Sequence, residues 1–72
     1  MMLQVQELRP EATYTFTTKN WTAPTGEVIP GRELKRVFVG HMKIENIPFI
    51  EVERPGGRHH LIAVEMIASI VF

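Results

Sequence analysis

The chain has 72 residues, 44% of them hydrophobic, and its eight basic residues are balanced by eight acidic ones. A chain of this length buries only about 60% of its unfolded surface, so its stability is marginal, and small domains often compensate by oligomerising. The absence of cysteine excludes disulfides and thiolate metal sites, and zero formal net charge excludes the overall positive field of a dedicated DNA-binding domain.

The length and the hydropathy pattern predict one domain over residues 1–72. No segment reaches the roughly 20 apolar residues that span a bilayer, and no charged segment before an apolar run marks a signal peptide. We therefore expect a cytoplasmic protein without a membrane partner.

The first third of the chain contains one clear strand and a long connection. Residues 3–8 alternate only briefly, which fits either a short edge strand or a helical turn. From Ala12 to Thr18, apolar residues alternate with threonines, the pattern of a strand with one buried and one wet face. The connection over residues 19–33 holds the only tryptophan, Trp21, and connections of this length are usually functional or packed onto their own side chains.

The rest of the chain predicts four strands. The strand over Leu34–Ile44 is apolar on both faces at Val37–Val39, as in a central strand, and Gly40 inside it permits a sharp bend. The remaining elements are a tight turn at Glu45–Asn46, a strand over Phe49–Arg54, a turn at Pro55–Gly57, a strand over His59–Glu65 interrupted by about one helical turn, and a last strand over Ser69–Phe72.

This layout resembles the Sm-like family of small SH3-like barrels. The residues that carry the resemblance are the bent segment Arg36–Met42, the tight Glu45–Asn46 connection and the closing segment Ile67–Val71. The resemblance implies an all-β, five-stranded antiparallel barrel that forms rings and binds RNA. Barrel closure would also protect the edges of a sheet this small.

Two features depart from the Sm-like pattern. The final connection carries Glu65-Met66, where the family has an Arg-Gly, Lys-Gly or Lys-His pair that supplies positive charge. The first connection is also longer than is usual in the family. The resemblance therefore supports the barrel more strongly than it supports the family's uridine pocket.

A local excess of positive charge gives the candidate RNA site. The cations are Lys35, Arg36, Lys43 and Arg58, and Trp21 is the candidate stacking group. Aromatic stacking combined with scattered cations holds single strands without a deep pocket. The alternatives are a solvated strand edge whose lysines discourage aggregation, and a tryptophan that only anchors its loop.

Strands that are apolar on both faces predict self-association. The candidate interface residues are Leu61, Ile62, Ile70, Val71 and Phe72. A barrel has one interior, so the outward apolar side chains need a second cover, which a neighbouring subunit could supply. The alternative is that residues 1–8 provide this cover within one chain.

The polar residues give little support for catalysis or metal binding. His59 and His60 are adjacent on a strand and point to opposite faces, and His41 has no supporting spacing. The chain has no Asp, no Ser-His-acid pattern and no Gly-rich phosphate motif. We therefore expect no enzyme, metal or cofactor. The leading hypothesis is an Sm-like RNA-binding or ribonucleoprotein scaffold, and the alternative is a protein-interaction or structural module of phage, plasmid or accessory origin without nucleic acid.

Overall fold

The computed structural model describes residues 3–72, which form a five-stranded antiparallel sheet and a separate two-stranded hairpin. The strands are β1 (Thr13–Thr18), β2 (Trp21–Thr22), β3 (Val28–Ile29), β4 (Glu33–Ile44), β5 (Ile47–Glu53), β6 (His59–Ala63) and β7 (Ile67–Val71). The sheet order is β6-β5-β4-β1-β7, and β2 and β3 form the hairpin. The predicted all-β class and five antiparallel strands are confirmed. Neither of the two short 3₁₀ helices in residues 3–72 has the length that a membrane span requires.

The sheet does not close into a barrel by backbone pairing among the described residues. Strands β6 and β7 are its two edges, and each has one hydrogen-bonded neighbour. The 3₁₀ helix Val64–Met66 connects β6 at one edge of the sheet to β7 at the other, and it lies where the sequence predicts a helical turn. The Lys19 backbone N–H donates to the Met66 carbonyl oxygen at 2.8 Å, which fixes this crossing to the end of β1.

Strand β4 is the central strand, as predicted, and it contains a β-bulge. Phe38 pairs with Val52 and Gly40 pairs with Glu51, so Val39 is an extra residue without a partner. The bulge reverses the alternation of the strand. As a result, Phe38 and His41 lie on the same face, with their rings edge to face at 5.1 Å between centroids.

The core lies on one face of the sheet. Its eight buried residues are Leu8, Tyr14, Phe16, Phe38, Ile50, Val52, Ile62 and Ile70. Alternate residues of β1 and β5 enter it, which confirms the period-two patterns read in both strands. We call this the core face and the opposite side the outer face.

Residues 3–8 cover the open end of the core. Residues Val5–Glu7 form a 3₁₀ helix, and its preceding residue, Gln4, donates its backbone N–H to the Glu7 carboxylate at 2.7 Å. Leu8 is buried, and the Leu3 N–H donates to the Ile70 carbonyl oxygen of β7 at 2.9 Å. Residues 3–8 therefore complete the core within one chain, and their contacts are with the core rather than with the outward apolar side chains.

The turns follow the local sequence. Glu45 and Asn46 both adopt positive φ, at 51° and 66°, as expected for a two-residue hairpin turn of type I′. Gly56 and Gly57 also have positive φ, which suits glycine, and the Arg54 N–H donates to the Arg58 carbonyl oxygen across this turn at 2.8 Å.

Candidate nucleic-acid interface

The long connection between β1 and β4 contains a hairpin that the sequence pattern did not predict. Trp21 pairs with Ile29 and Thr22 pairs with Val28. The turn is closed by the Gly26 N–H, which donates to the Ala23 carbonyl oxygen at 2.8 Å. The available signal was the pairs Trp21-Thr22 and Val28-Ile29 on either side of Pro24-Thr25-Gly26, but strands of two residues have no periodicity to read.

Side-chain hydrogen bonds hold the base of this hairpin against β1. The Arg32 N–H donates to Thr18 Oγ1 at 3.0 Å, and the Thr18 N–H donates to the Arg32 carbonyl oxygen at 3.0 Å. The Gly31 N–H donates to Asn20 Oδ1 at 2.8 Å. The hairpin therefore leaves the sheet at a fixed position.

A groove of about 690 Å³ lies between the hairpin and β6. Trp21 and Arg32 line its hairpin side, Leu61 lies on the β6 side, and Lys19 and Met66 also line it. The Trp21 side chain is 47% exposed, and Leu61 is 39% exposed. An open aromatic ring beside two cations can stack a base while the cations contact phosphates.

His60 connects this groove to a cluster of arginines. Its Nε2 accepts a hydrogen bond from Arg36 Nε at 3.1 Å. Burial lowers the pKa of His60 below its ordinary value of 6.5, and the positive charges of Arg36, Arg54 and Arg32 lower it further. His60 is therefore a neutral acceptor that keeps the Arg36 guanidinium in one orientation.

His59 lies on the outer face and has the opposite environment. Its Nδ1 donates to Glu51 Oε2 at 2.6 Å, and its Nε2 lies 3.5 Å from Glu53 Oε2. The hydrogen bond with Glu51 is the main cause that raises the pKa of His59 above 6.5, and Glu53 adds to it. The pKa values of two adjacent histidines are thus shifted in opposite directions.

We expect the two histidines to titrate on opposite sides of pH 6.5, with His59 above and His60 below. The His59 ion pair stabilises the fold fully below 6.5, and this contribution is lost as pH rises through the raised native pKa. For His60, stability is lost as pH falls from 6.5 through the lowered native pKa. NMR titration of the imidazole protons measures both, and Glu51→Gln should move the His59 midpoint downwards. A His60 midpoint at or above that of His59 would contradict this assignment.

The structure does not bring the five predicted RNA-binding residues together. Lys35 and Arg36 lie near each other, and Arg58 follows the exposed β5–β6 turn. Lys43 is eight positions along β4 from Lys35, a separation of about 25 Å in an extended strand. Trp21 lies in the groove instead, which Lys19 and Arg32 also line.

Two of the five residues expected at a subunit interface lie elsewhere. Ile62 and Ile70 are only 6% and 2% exposed and belong to the core of the chain itself, so a neighbouring subunit cannot cover them directly. Their strands are apolar on both faces, and the sequence alone did not show which residues face inwards. Leu61, Val71 and Phe72 are exposed, and Phe72 packs its ring edge to face on Tyr14 at 5.5 Å between centroids.

The three histidines are not gathered into one site. His41 packs on Phe38, His59 is paired with carboxylates on the outer face, and His60 accepts from Arg36. Over residues 3–72, no three histidine or carboxylate side chains come together as a metal-binding group. Comparisons with known protein families, curated proteins and solved structures find no match to this chain.

Proposed function

We propose that this chain is an Sm-like, SH3-like small barrel that self-associates and binds single-stranded RNA in the groove between the β2–β3 hairpin and β6. The observation that carries the proposal is the half-exposed Trp21 ring, which shares this groove with Lys19 and Arg32. The antiparallel strand order, with a 3₁₀ helix before the last strand, supports the barrel.

The chemistry of the groove suits a single strand better than a duplex. A base stacked on an aromatic side chain contributes about 1–3 kcal/mol, and every base has a face that can stack. Lys19 and Arg32 supply positive charge, while the chain as a whole is neutral. Binding therefore depends on a few local contacts, and it should be sequence-tolerant and sensitive to salt.

The two sheet edges support the proposed self-association. Within residues 3–72, β6 and β7 each have a strand neighbour on one side only, and pairing β6 of one copy with β7 of the next would satisfy unpaired backbone groups. Leu61 on β6 and Val71 on β7 are exposed beside these edges. Because Leu3 already bonds to the Ile70 carbonyl oxygen, this part of the β7 edge does not take part in the pairing.

Fluorescence anisotropy with labelled oligo-U and oligo-A at two salt concentrations tests RNA binding. We expect Trp21→Ala to cost about 1–3 kcal/mol of binding free energy if a base stacks there. Arg32→Gln should weaken binding to both sequences and reduce the salt slope by about 1. Lys43→Gln, at the far end of β4, is the matched control and should leave affinity unchanged. No binding at low salt by folded protein would contradict the proposal.

An exposed apolar surface favours a second candidate, a protein-interaction module. Met42, Ile44 and Ile47 surround the β4–β5 turn and are 38%, 45% and 45% exposed. Side chains of this type are usual at protein interfaces rather than at RNA sites. If the protein fails to bind RNA, and Ile44→Ser with Ile47→Ser abolishes self-association, this second candidate is favoured.

A further inference from the structure

A second cavity lies on the other side of the β5–β6 turn and is separate from the Trp21 groove. It has a volume of about 300 Å³ and is lined by the turn Pro55–Gly57, by Thr13 of β1 and by three cations, Lys35, Arg36 and Arg54. It shares no lining residue with the groove. Its chemistry can therefore be considered independently of RNA binding.

Arg36, which lines this cavity, has a guanidinium already held by two hydrogen bonds. Its Nε donates to His60 Nε2 at 3.1 Å, and its Nη1 donates to the Lys35 carbonyl oxygen at 2.9 Å. These two bonds leave further N–H groups of the same planar group for a ligand. A fixed guanidinium loses little conformational freedom when it binds an oxyanion, and its geometry matches that of phosphate.

The charges around the cavity are unbalanced. Three cations line it, against one carboxylate, Glu53. The Glu53 carboxylate lies 3.5 Å from His59 Nε2, so His59 offsets part of its negative charge when it is protonated. The Thr13 hydroxyl adds a neutral donor of the kind that often contacts phosphate oxygens.

We propose that this cavity binds a phosphate group, with Arg36 as the oriented donor and Lys35 and Arg54 as supporting charges. The ligand is either free inorganic phosphate or the phosphate of a nucleic acid. The proposal does not depend on base stacking at Trp21. The hydrogen bond from Arg36 to His60 joins a residue of the cavity to a residue of the groove.

Amide NMR spectra recorded during addition of sodium phosphate at pH 7.5, with sodium chloride at matched ionic strength as reference, test the proposal. We expect saturable shifts at Lys35, Gly56 and Gly57 with phosphate only. Arg36→Lys keeps the positive charge but loses the planar set of guanidinium N–H donors, and it should weaken phosphate binding about tenfold or more. Shifts that match those in chloride would overturn the proposal.

Further variants keep the result interpretable if Arg36→Lys does not fold. Arg54→Gln changes an exposed residue outside the strands and should also weaken binding, whereas Glu53→Gln should strengthen it. Lys43→Gln is the control with an equal loss of charge far from the cavity. Equal phosphate affinity in Arg54→Gln, Lys43→Gln and the unmodified protein would overturn the proposal.

Oligonucleotides distinguish the source of the phosphate. If 5′-phosphorylated oligo-U shifts the cavity amides and unphosphorylated oligo-U does not, the ligand is a terminal phosphate. Shifts with both indicate an internal phosphodiester, and shifts with inorganic phosphate alone indicate the free anion. Trp21→Ala should leave the inorganic phosphate titration unchanged, so a failure of RNA binding and a failure of this proposal are read separately.

Discussion

Ile70→Asp should leave no folded protein at room temperature. Ile70 is 2% exposed and lies in the core beside Phe16, its partner on β1. An unpaired carboxylate at this position costs several kcal/mol, and the lost apolar burial costs about 2 kcal/mol more. A domain of 72 residues has a total stability of roughly 4–11 kcal/mol. Circular dichroism and a thermal melt measure the effect.

Val71→Asp is the matched control at the neighbouring position. Val71 is 38% exposed, so the same charge there should leave the chain folded. If the β7 edge lies between subunits, light scattering after gel filtration should show a smaller particle for Val71→Asp than for the unmodified protein. A cooperative melt of Ile70→Asp at the unmodified temperature would contradict the core assignment. An unmodified protein that is an 8.3 kDa monomer at all concentrations would remove the ring proposal.

Gly31→Ala should lower stability by about 3 kcal/mol, because it disrupts about three hydrogen bonds at the base of the hairpin, each contributing roughly 1 kcal/mol. A Cβ atom on Gly31 would lie 1.8 Å from the Thr18 carbonyl oxygen, so one of the two backbones must move. The bonds at risk join Thr18 to Arg32 and Gly31 to Asn20. Denaturant unfolding measures the loss, and RNA affinity should fall with it because the hairpin carries Trp21.

Gly40→Ala is the control for this substitution. A Cβ atom on Gly40 meets nothing within 4 Å, and its φ is outside the left-handed region. Alanine should therefore change stability by less than about 1 kcal/mol. Equal midpoints for Gly31→Ala and Gly40→Ala would show that the hairpin base tolerates displacement of β1.

The contrast between these glycines shows what the sequence could predict. Gly40 was noticeable because it interrupts an apolar strand, and a bend was expected there. The structure has a β-bulge at Val39, the residue before Gly40. The tightest glycine is Gly31, whose neighbour Thr18 is thirteen positions away. Alternation and turn residues report local structure, whereas close backbone approaches depend on tertiary packing.

The residues of the candidate site also divide into those that the local sequence identifies and those that only tertiary packing brings together. Trp21 was identifiable from its residue type in a long connection. The cavity cations were only partly identifiable, because Arg54 joins Lys35 and Arg36 through the pairing of β4 with β5, a register that composition does not reveal. Lys43 belongs to the same strand but lies at its other end, where the register separates it from the rest.

The bulge at Val39 determines which side chains at the far end of β4 lie on the core face and which lie on the outer face. Beyond it, Met42 and Ile44 lie on the outer face, and His41 and Lys43 lie on the same side as the core. If Val39 took part in a regular ladder without a bulge, strict alternation from Phe38 would place Met42 and Ile44 inwards and His41 and Lys43 outwards. The bulge thus lets β4 accommodate one extra residue while the hairpin beyond it keeps its apolar side chains on one face and its basic side chains on the other.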